Sequence, residues 1–213
     1  MLSEIAAALA PHGLISRGGV TLDDAALRSV LLVGNAGASY WPRFSRWWRE
    51  QPEDLANPLD TWSRTVIGEV AEKFGARVVM PNDRPFAPFQ QWAMRAEGLR
   101  PSPLGLLIHP VHGLWHAYRG ALAFDVEIPI QGAGEVIHPC DLCIGKPCLN
   151  ACPVDAFSAA GFVYEACVEH VRSPHGARCR ERGCLARNAC PVGVDYRYPA
   201  EVQAFHQKAF AGL

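Results

Sequence analysis

The alternation of apolar and polar positions divides the first two thirds of the chain into short helices and strands. Ser3 before Glu4-Ile-Ala-Ala-Ala-Leu-Ala10 predicts a short capped helix ended by Pro11 and Gly13. Gly18-Gly19 predicts a turn. Ala26–Val33 closes on an apolar run and leads into Gly34-Asn-Ala-Gly37, which reads as a buried strand followed by a tight turn. Trp41–Trp48 carries aromatics at helical spacing with arginines between them. Asn57-Pro58-Leu59-Asp60 begins a second helix, with Asn at the N-cap and Pro in the first turn, running to about Phe74 and stopping at Gly75. Arg77–Met80 reads as a strand, Pro81–Pro88 as a loop and Phe89–Gly98 as a short helix. Leu104–Ile108 and Leu114–Ile128 are strand candidates joined by His109-Pro-Val-His112-Gly113, and Ala121–Ile128 partly alternates, as a half-buried strand does. Gly132-Ala-Gly134 predicts a hinge, and Pro199–Leu213 a docking helix carrying Phe205 and Phe210.

Residues 140–191 break this pattern, because they hold all eight cysteines of the 213-residue chain. The order is Cys140-x2-Cys143-x4-Cys148-x3-Cys152-Pro153, then Cys167, then Cys179-x4-Cys184-x5-Cys190-Pro191. The nearest pattern is the bacterial iron–sulfur run C-x2-C-x2-C-x3-C-P, in which three close thiolates hold one [4Fe–4S] cluster and the fourth reaches to a neighbouring one. Proline after the last cysteine lacks an N–H and has a fixed φ, which helps turn the chain away. Ile144-Gly-Lys-Pro147 lengthens the first loop but leaves the Cys148-x3-Cys152-Pro ending intact, and Cys190-Pro191 repeats the exit. The crossing rule assigns Cys140, Cys143, Cys148 and Cys190 to one cluster, and Cys152, Cys167, Cys179 and Cys184 to the other. Two all-cysteine zinc sites would use the same ligands, although only Cys140–Cys143 has the usual CxxC knuckle. A disulfide framework suits small secreted domains, and the start Met-Leu-Ser-Glu-Ile shows no basic leader.

Hydrophobic content of 49% and charged content of 19% describe a chain able to bury a core. A net charge of −1 gives no electrostatic case for a nucleic-acid or membrane partner, and no apolar run reaches the 18 or so residues of a membrane span. Thiols kept as ligands point to a reducing, cytoplasmic setting.

Other segments carry competing readings. Gly34-x2-Gly37 is either a simple turn or an anion-binding one, though it is far short of GxGxxG. Trp41, Trp47 and Trp48 form either a packed helix face or an aromatic wall for a flat ligand. His109, His112 and His116 match no metal signature; either they are a turn histidine and two strand residues, or one of them serves as a cobalt ligand or proton donor.

Two resemblances follow from these residues. Gly113-Leu-Trp-His-Ala-Tyr-Arg119-Gly120 through Pro129, followed by Cys140–Ala156, a lone cysteine and a closing Cys-Pro group, resembles epoxyqueuosine reductase. The strand Val30–Val33, Asn57-Pro-Leu-Asp60, and His109-Pro110 with Gly113, Trp115, Arg119 and Gly120 resemble the cobalamin-processing family of the CblC (MMACHC) type. The resemblance implies an α+β fold: a nitroreductase/CblC-like domain over 1–134, a two-[4Fe–4S] ferredoxin-like domain over 135–198 and a docking helix over 199–213. With the aromatic and histidine readings above, the residues expected to contact a cofactor, cobalamin or flavin, are Trp41, His109, His112, Gly113, Trp115, His116 and Arg119. The catalytic acid of epoxyqueuosine reductase has no matching position, so its tRNA substrate is not carried over.

Two functions of different class are therefore expected. One is an iron–sulfur oxidoreductase whose two clusters pass single electrons to a corrinoid-like or other flat cofactor or substrate in the N-terminal domain. The other is a ferredoxin-type carrier without catalytic activity, whose N-terminal domain docks a redox partner protein. A cluster-bearing sensor is a third reading, for which the near-neutral charge provides no nucleic-acid surface.

Overall fold

The computed structural model describes residues 1–213 apart from Ala25, Gln131, Ala159 and Ala160. Its elements run α1 (Leu2–Leu9), β1 (Ile15–Thr21), β2 (Ser29–Ala36), α2 (Trp41–Trp48), α3 (Pro58–Lys73), β3 (Arg77–Val79), α4 (Phe89–Glu97), β4 (Arg100–Pro101), β5 (Leu107–Ile108) and β6 (His116–Phe124). They continue with α5 (Pro139–Leu142), β7 (Phe157–Ser158), β8 (Gly161–Phe162), α6 (Tyr164–Arg172), α7 (Ala177–Arg182), α8 (Leu185–Asn188) and α9 (Ala200–Ala211). Helices and strands mix as in the α+β class. No helix among the described residues is long and apolar enough to cross a membrane.

The chain divides into two compact units, Met1–Gly98 with His116–Val136, and Leu99–Trp115 with Ile137–Leu213. The first is built on an antiparallel sheet of order β1-β2-β6-β3. Every residue of β2 from Ser29 to Asn35 is buried, and successive side chains of a strand point to opposite faces, so both faces of the sheet are covered there. Helix α3 packs on β6 and β3, and α4 on β1 and β2. The half-buried alternation expected for Ala121–Ile128 is absent for the same reason: Gly120 to Phe124 are all buried, on a strand paired on both sides.

Helix boundaries follow local chemistry. Pro58 begins α3 where its missing N–H costs nothing, and Gly75 at φ +65° lies just past its end. Asn57 takes the N-cap position as expected but does not cap through its side chain; it adopts a left-handed conformation, and its carbonyl accepts from Thr61 Oγ1 at 3.2 Å. Helix α4 ends at Gly98, φ +66°.

Three expectations are corrected. Gly18-Gly19 is not a turn but part of β1, whose register against β2 slips between Ser16 and Gly19; Gly18 at φ +68° makes the bulge, and a Cβ on Gly19 would meet the Val30 carbonyl at 2.6 Å. Gly34 does not open a turn either. It stays in β2, opposite a β6 bulge whose extra residue is Arg119, and a Cβ on it would meet the Ala117 carbonyl at 2.1 Å. Leu104–Ile108 is mostly the turn of a hairpin. Ser102 N–H donates to Leu106 O at 2.7 Å, Gly105 turns at φ +75°, and only Leu107–Ile108 pairs, with Arg100–Pro101.

The segment expected to act as a hinge closes on the first unit, for a Cβ on Gly98 would meet Val136 at 3.1 Å and the Gly134 carbonyl at 3.4 Å. The second unit consists of short helices and two-residue strand pairs. Helix α9 lies on α7 and α6 and is anchored by buried Val202 and Gln203, not by Phe205 and Phe210. Gln203 Nε2 donates to Tyr198 O at 2.8 Å, and its Oε1 accepts from Asn188 Nδ2 at 2.7 Å.

Candidate metal centre

All eight cysteines are free thiols. They come from dissimilar settings: Cys140 lies inside the four-residue α5 and Cys143 at its end, Cys179 is in α7, and Cys184 is the N-cap of α8. Burial and neighbouring negative charge both raise thiol pKa values. Burial pushes the Cys140 thiol up, and the charges of Cys190, Cys148 and Cys143 push in the same direction. Cys148 is raised by burial and then by Cys190, with Cys143 adding to it, and Cys190 is raised by burial and Cys143. The other four behave as a separate set. Cys167 is pushed up to about 11 by burial, then by Cys184, Cys152 and Cys179. Cys179 is raised by burial, Cys184 and Cys152, and Cys184 by burial and Cys152. Every member of each set is thus within electrostatic reach of its three fellows, and the membership is the one the crossing rule assigns.

The sulfurs are met by backbone donors. Ala156 N–H donates to Cys152 Sγ at 3.3 Å, and Arg187 N–H to Cys184 Sγ at 3.5 Å. Leu149 bonds Cys148, Leu185 bonds Cys179, Ala186 also bonds Cys184, and Val192 bonds Cys190, each favouring the thiolate. Two cations stand by each set: Lys146 near Cys140 and Arg197 near Cys190, Arg178 near Cys179 and Arg187 near Cys184. This is a donor set suited to a multiply ligated, negatively charged inorganic group. The thiolates repel one another unless a cationic centre binds them, and the N–H groups and flanking cations offset what charge remains. Among the described residues no three His, Cys, Asp or Glu side chains converge as around a single ion.

The four-residue spacer of the first loop is folded by two successive left-handed residues, Gly145 at φ +77° and Lys146 at φ +41°. They return the Lys146 ammonium over the loop, where it donates to the carbonyls of Cys140 and Cys143. Lys146 was not singled out from the sequence. A lysine lying between closely spaced cysteines is the signal that could have pointed to it.

His109, His112, Gly113 and Trp115 all belong to this unit, where they have a structural task. His109 Nδ1 accepts from the N–H groups of Val111 at 3.0 Å and His112 at 3.1 Å, and its ring stacks on His112 at 4.1 Å. Gly113 at φ +57° is pressed against the chain leaving Cys190, for a Cβ there would meet the Val192 carbonyl at 1.9 Å. Gly193 is reciprocally tight against His112. The turn therefore holds the Cys190-Pro191-Val192 exit in place. Trp115 is fully buried, with the Arg187 guanidinium 4.4 Å from its ring centre and Tyr198 edge-on at 5.5 Å; its indole N–H meets no acceptor among the described residues.

Trp41, His116 and Arg119 lie in the first unit. Trp41 meets Tyr40 edge-on at 6.2 Å and Phe44 at 5.5 Å, within an aromatic group on α2 and α3. Arg119, set out of register by the bulge, donates from Nε to Asn35 Oδ1 at 2.9 Å and stands 4.8 Å over the Tyr40 ring. His116 is buried edge-on to Tyr118 at 5.9 Å. Sequence reading missed the buried Arg17, whose guanidinium pairs with Glu97 at 2.8 Å through both Nε and Nη2. Tyr118 shares that carboxylate, and burial raises its hydroxyl pKa well above the ordinary value. No known family model matches the chain, and no curated protein matches it.

Proposed function

We propose that the cysteine unit holds two [4Fe–4S] clusters, one on Cys140, Cys143, Cys148 and Cys190 and the other on Cys152, Cys167, Cys179 and Cys184. On this reading the protein is an iron–sulfur oxidoreductase serving a flat, corrinoid-like cofactor or substrate held by the first unit. The observation that carries it is the sorting of eight free thiols into two sets of four whose members raise one another's pKa values. Each cluster would supply a one-electron store whose potential depends on burial and on hydrogen bonds to sulfur. The chain's own groups set those conditions. Cys148, Cys179 and Cys190 are buried, and the N–H groups of Leu149, Leu185 and Val192 stabilise negative charge on their sulfurs. Lys146 ties the first loop to itself, and the His109–Gly113 turn fixes the approach of Cys190.

The ferredoxin-like character of this module, and a nitroreductase/CblC-like character for the first unit, are part of the proposal. Their support is the resemblance of Gly113–Pro129 and Cys140–Ala156 to epoxyqueuosine reductase, and of the His109-Pro110 and Asn57-Pro-Leu-Asp60 motifs to the CblC family. Trp41, His116 and Arg119 are the residues of the first unit proposed to meet the flat ligand.

Protein purified without air is expected to contain about eight irons per chain with matching sulfide. Cys148→Ala and Cys190→Ala should each reduce iron to about half; unchanged iron in both would overturn the grouping. Hydroxocobalamin added to the intact protein should shift the visible spectrum. An unshifted spectrum with reversibly reducible clusters would leave the electron-carrier function in its place.

A further inference from the structure

The cysteine unit contains an open cleft of about 280 Å³ whose floor includes Cys167 and Cys184. Its walls are largely apolar and aromatic, with Phe157, Phe162 and Phe210 on one side, and Arg187, His206 and Gln207 supply the polar groups. The aromatics form a continuous surface: Phe157 stacks on Phe162 at 4.9 Å and 20°, Phe162 lies 6.3 Å from Phe210, and Tyr164 meets Phe210 edge-on at 5.4 Å. Phe162, Tyr164 and Phe210 are 41%, 48% and 38% exposed. Large rings left in water side by side, with a few polar groups among them in the lining, describe a ligand site and not a packed core. The cleft lies just below the ~300–1,000 Å³ usual for sites of drug-sized ligands, which suits a fused two- or three-ring system and is too small for a corrin macrocycle.

We infer that this cleft binds a planar aromatic redox molecule bearing carbonyl acceptors, of the isoalloxazine or quinone class, against the Cys152/Cys167/Cys179/Cys184 site. The ring of Phe162 stacks on its plane, Phe210, tilted 43° to Phe162, borders it at an angle, and the Gln207 amide supplies a donor to its acceptor edge. That it lies beside a cluster rests on the function proposed above; that a flat ring binds here does not.

Equilibrium dialysis of the anaerobically prepared full chain against riboflavin and against menadione, with iron and sulfide measured on the same samples, separates the two claims. Saturable retention of at least one probe at about one per chain is expected, and which probe is retained identifies the source. Phe210→Ala and Phe162→Ala should each weaken retention about three- to tenfold at unchanged iron, Phe210→Trp should restore it, and Phe86→Ala, an exposed ring on the first unit, should leave it unaltered. No saturable retention of either probe, or equal retention by wild type and both alanine variants, overturns the inference even where eight irons are found. Retention with low iron would overturn the cluster assignment and leave the cleft standing.

Discussion

The two units cohere by different means. The sheet unit buries an unbroken apolar strand, β2, between covered faces, and each fully buried Val or Leu there contributes about 1.5–3 kcal/mol. Among its described residues the cysteine unit has no helix longer than nine residues before α9, and part of its core consists of cysteine side chains, since Cys148 and Cys190 are buried among Leu104, Ile108, Leu114 and Ala186. A further apolar cluster, Val171 and Ala211, again includes a thiol, Cys179. Cohesion in the first unit is therefore a property of side-chain area. In the second, on the function proposed above, it depends on the clusters the thiols would hold, because four sulfurs that oppose one another's ionisation bring little stability on their own.

The strongest test of that contrast is removal of the metal proposed above. Chelation under anaerobic conditions should abolish amide-exchange protection across Ile137–Leu213 and leave β2 and β6 protected. Equal loss in both units would erase the distinction. Next in size is a backbone test within the cysteine unit. Gly113→Ala places a Cβ 1.9 Å from the Val192 carbonyl at φ +57°, so it should reduce iron to about half, with loss of the cluster proposed to need Cys190. Gly75→Ala, at φ +65° with open space around it, should cost only about 1 kcal/mol and leave iron unchanged. Comparable iron loss in both would mean that strain, and not the Cys190 exit, is what Gly113 serves.

Glu97→Ala probes the sheet unit. It strands Arg17, which is 2% exposed, and should destabilise that unit by about 3–5 kcal/mol, read as a lowered midpoint in its thermal transition. The smallest effect concerns pH. Asp83 is held below its ordinary value of 3.8, first by the N–H of Met80 and then by Arg64. A depressed carboxyl stabilises the fold above its unfolded pKa and loses that contribution as pH falls through the lower folded value. Asp83→Asn should therefore be less stable than wild type at neutral pH by about 0.5 kcal/mol or less, since this half-exposed pair is screened by solvent. The difference should vanish as acid titration passes below 3.8, and a gap that widened there would reverse the assigned sign.

Local signals in the sequence located α3 and α4 to within a residue or two, because Pro58, Gly75 and Gly98 act through their own φ and their own N–H. The same logic failed at Gly18 and Gly34. A glycine that makes a bulge inside a strand carries the same local mark as one that makes a turn, and only the facing strand distinguishes them. His109, His112 and Gly113 carried no sequence mark of their place beside the chain after Cys190, since Gly113 and His112 meet Val192 and Gly193 about eighty residues away. Arg17 and Glu97 gave no sign of each other, since a buried ion pair between distant segments leaves no spacing to read.

What the amino-acid order settled alone is the inventory of the second unit: eight cysteines, two Cys-Pro exits and a lysine within the first loop, together with the helix ends of the first. These rest on bond geometry and on which atoms a residue has or lacks. Folding in three dimensions decided which thiols perturb which, that a turn from residues 109–113 braces the chain after Cys190, and that three rings border a cleft beside Cys167. Those features arise when segments far apart in the chain are brought together, and the free energy that selects them belongs to contacts no single stretch contains.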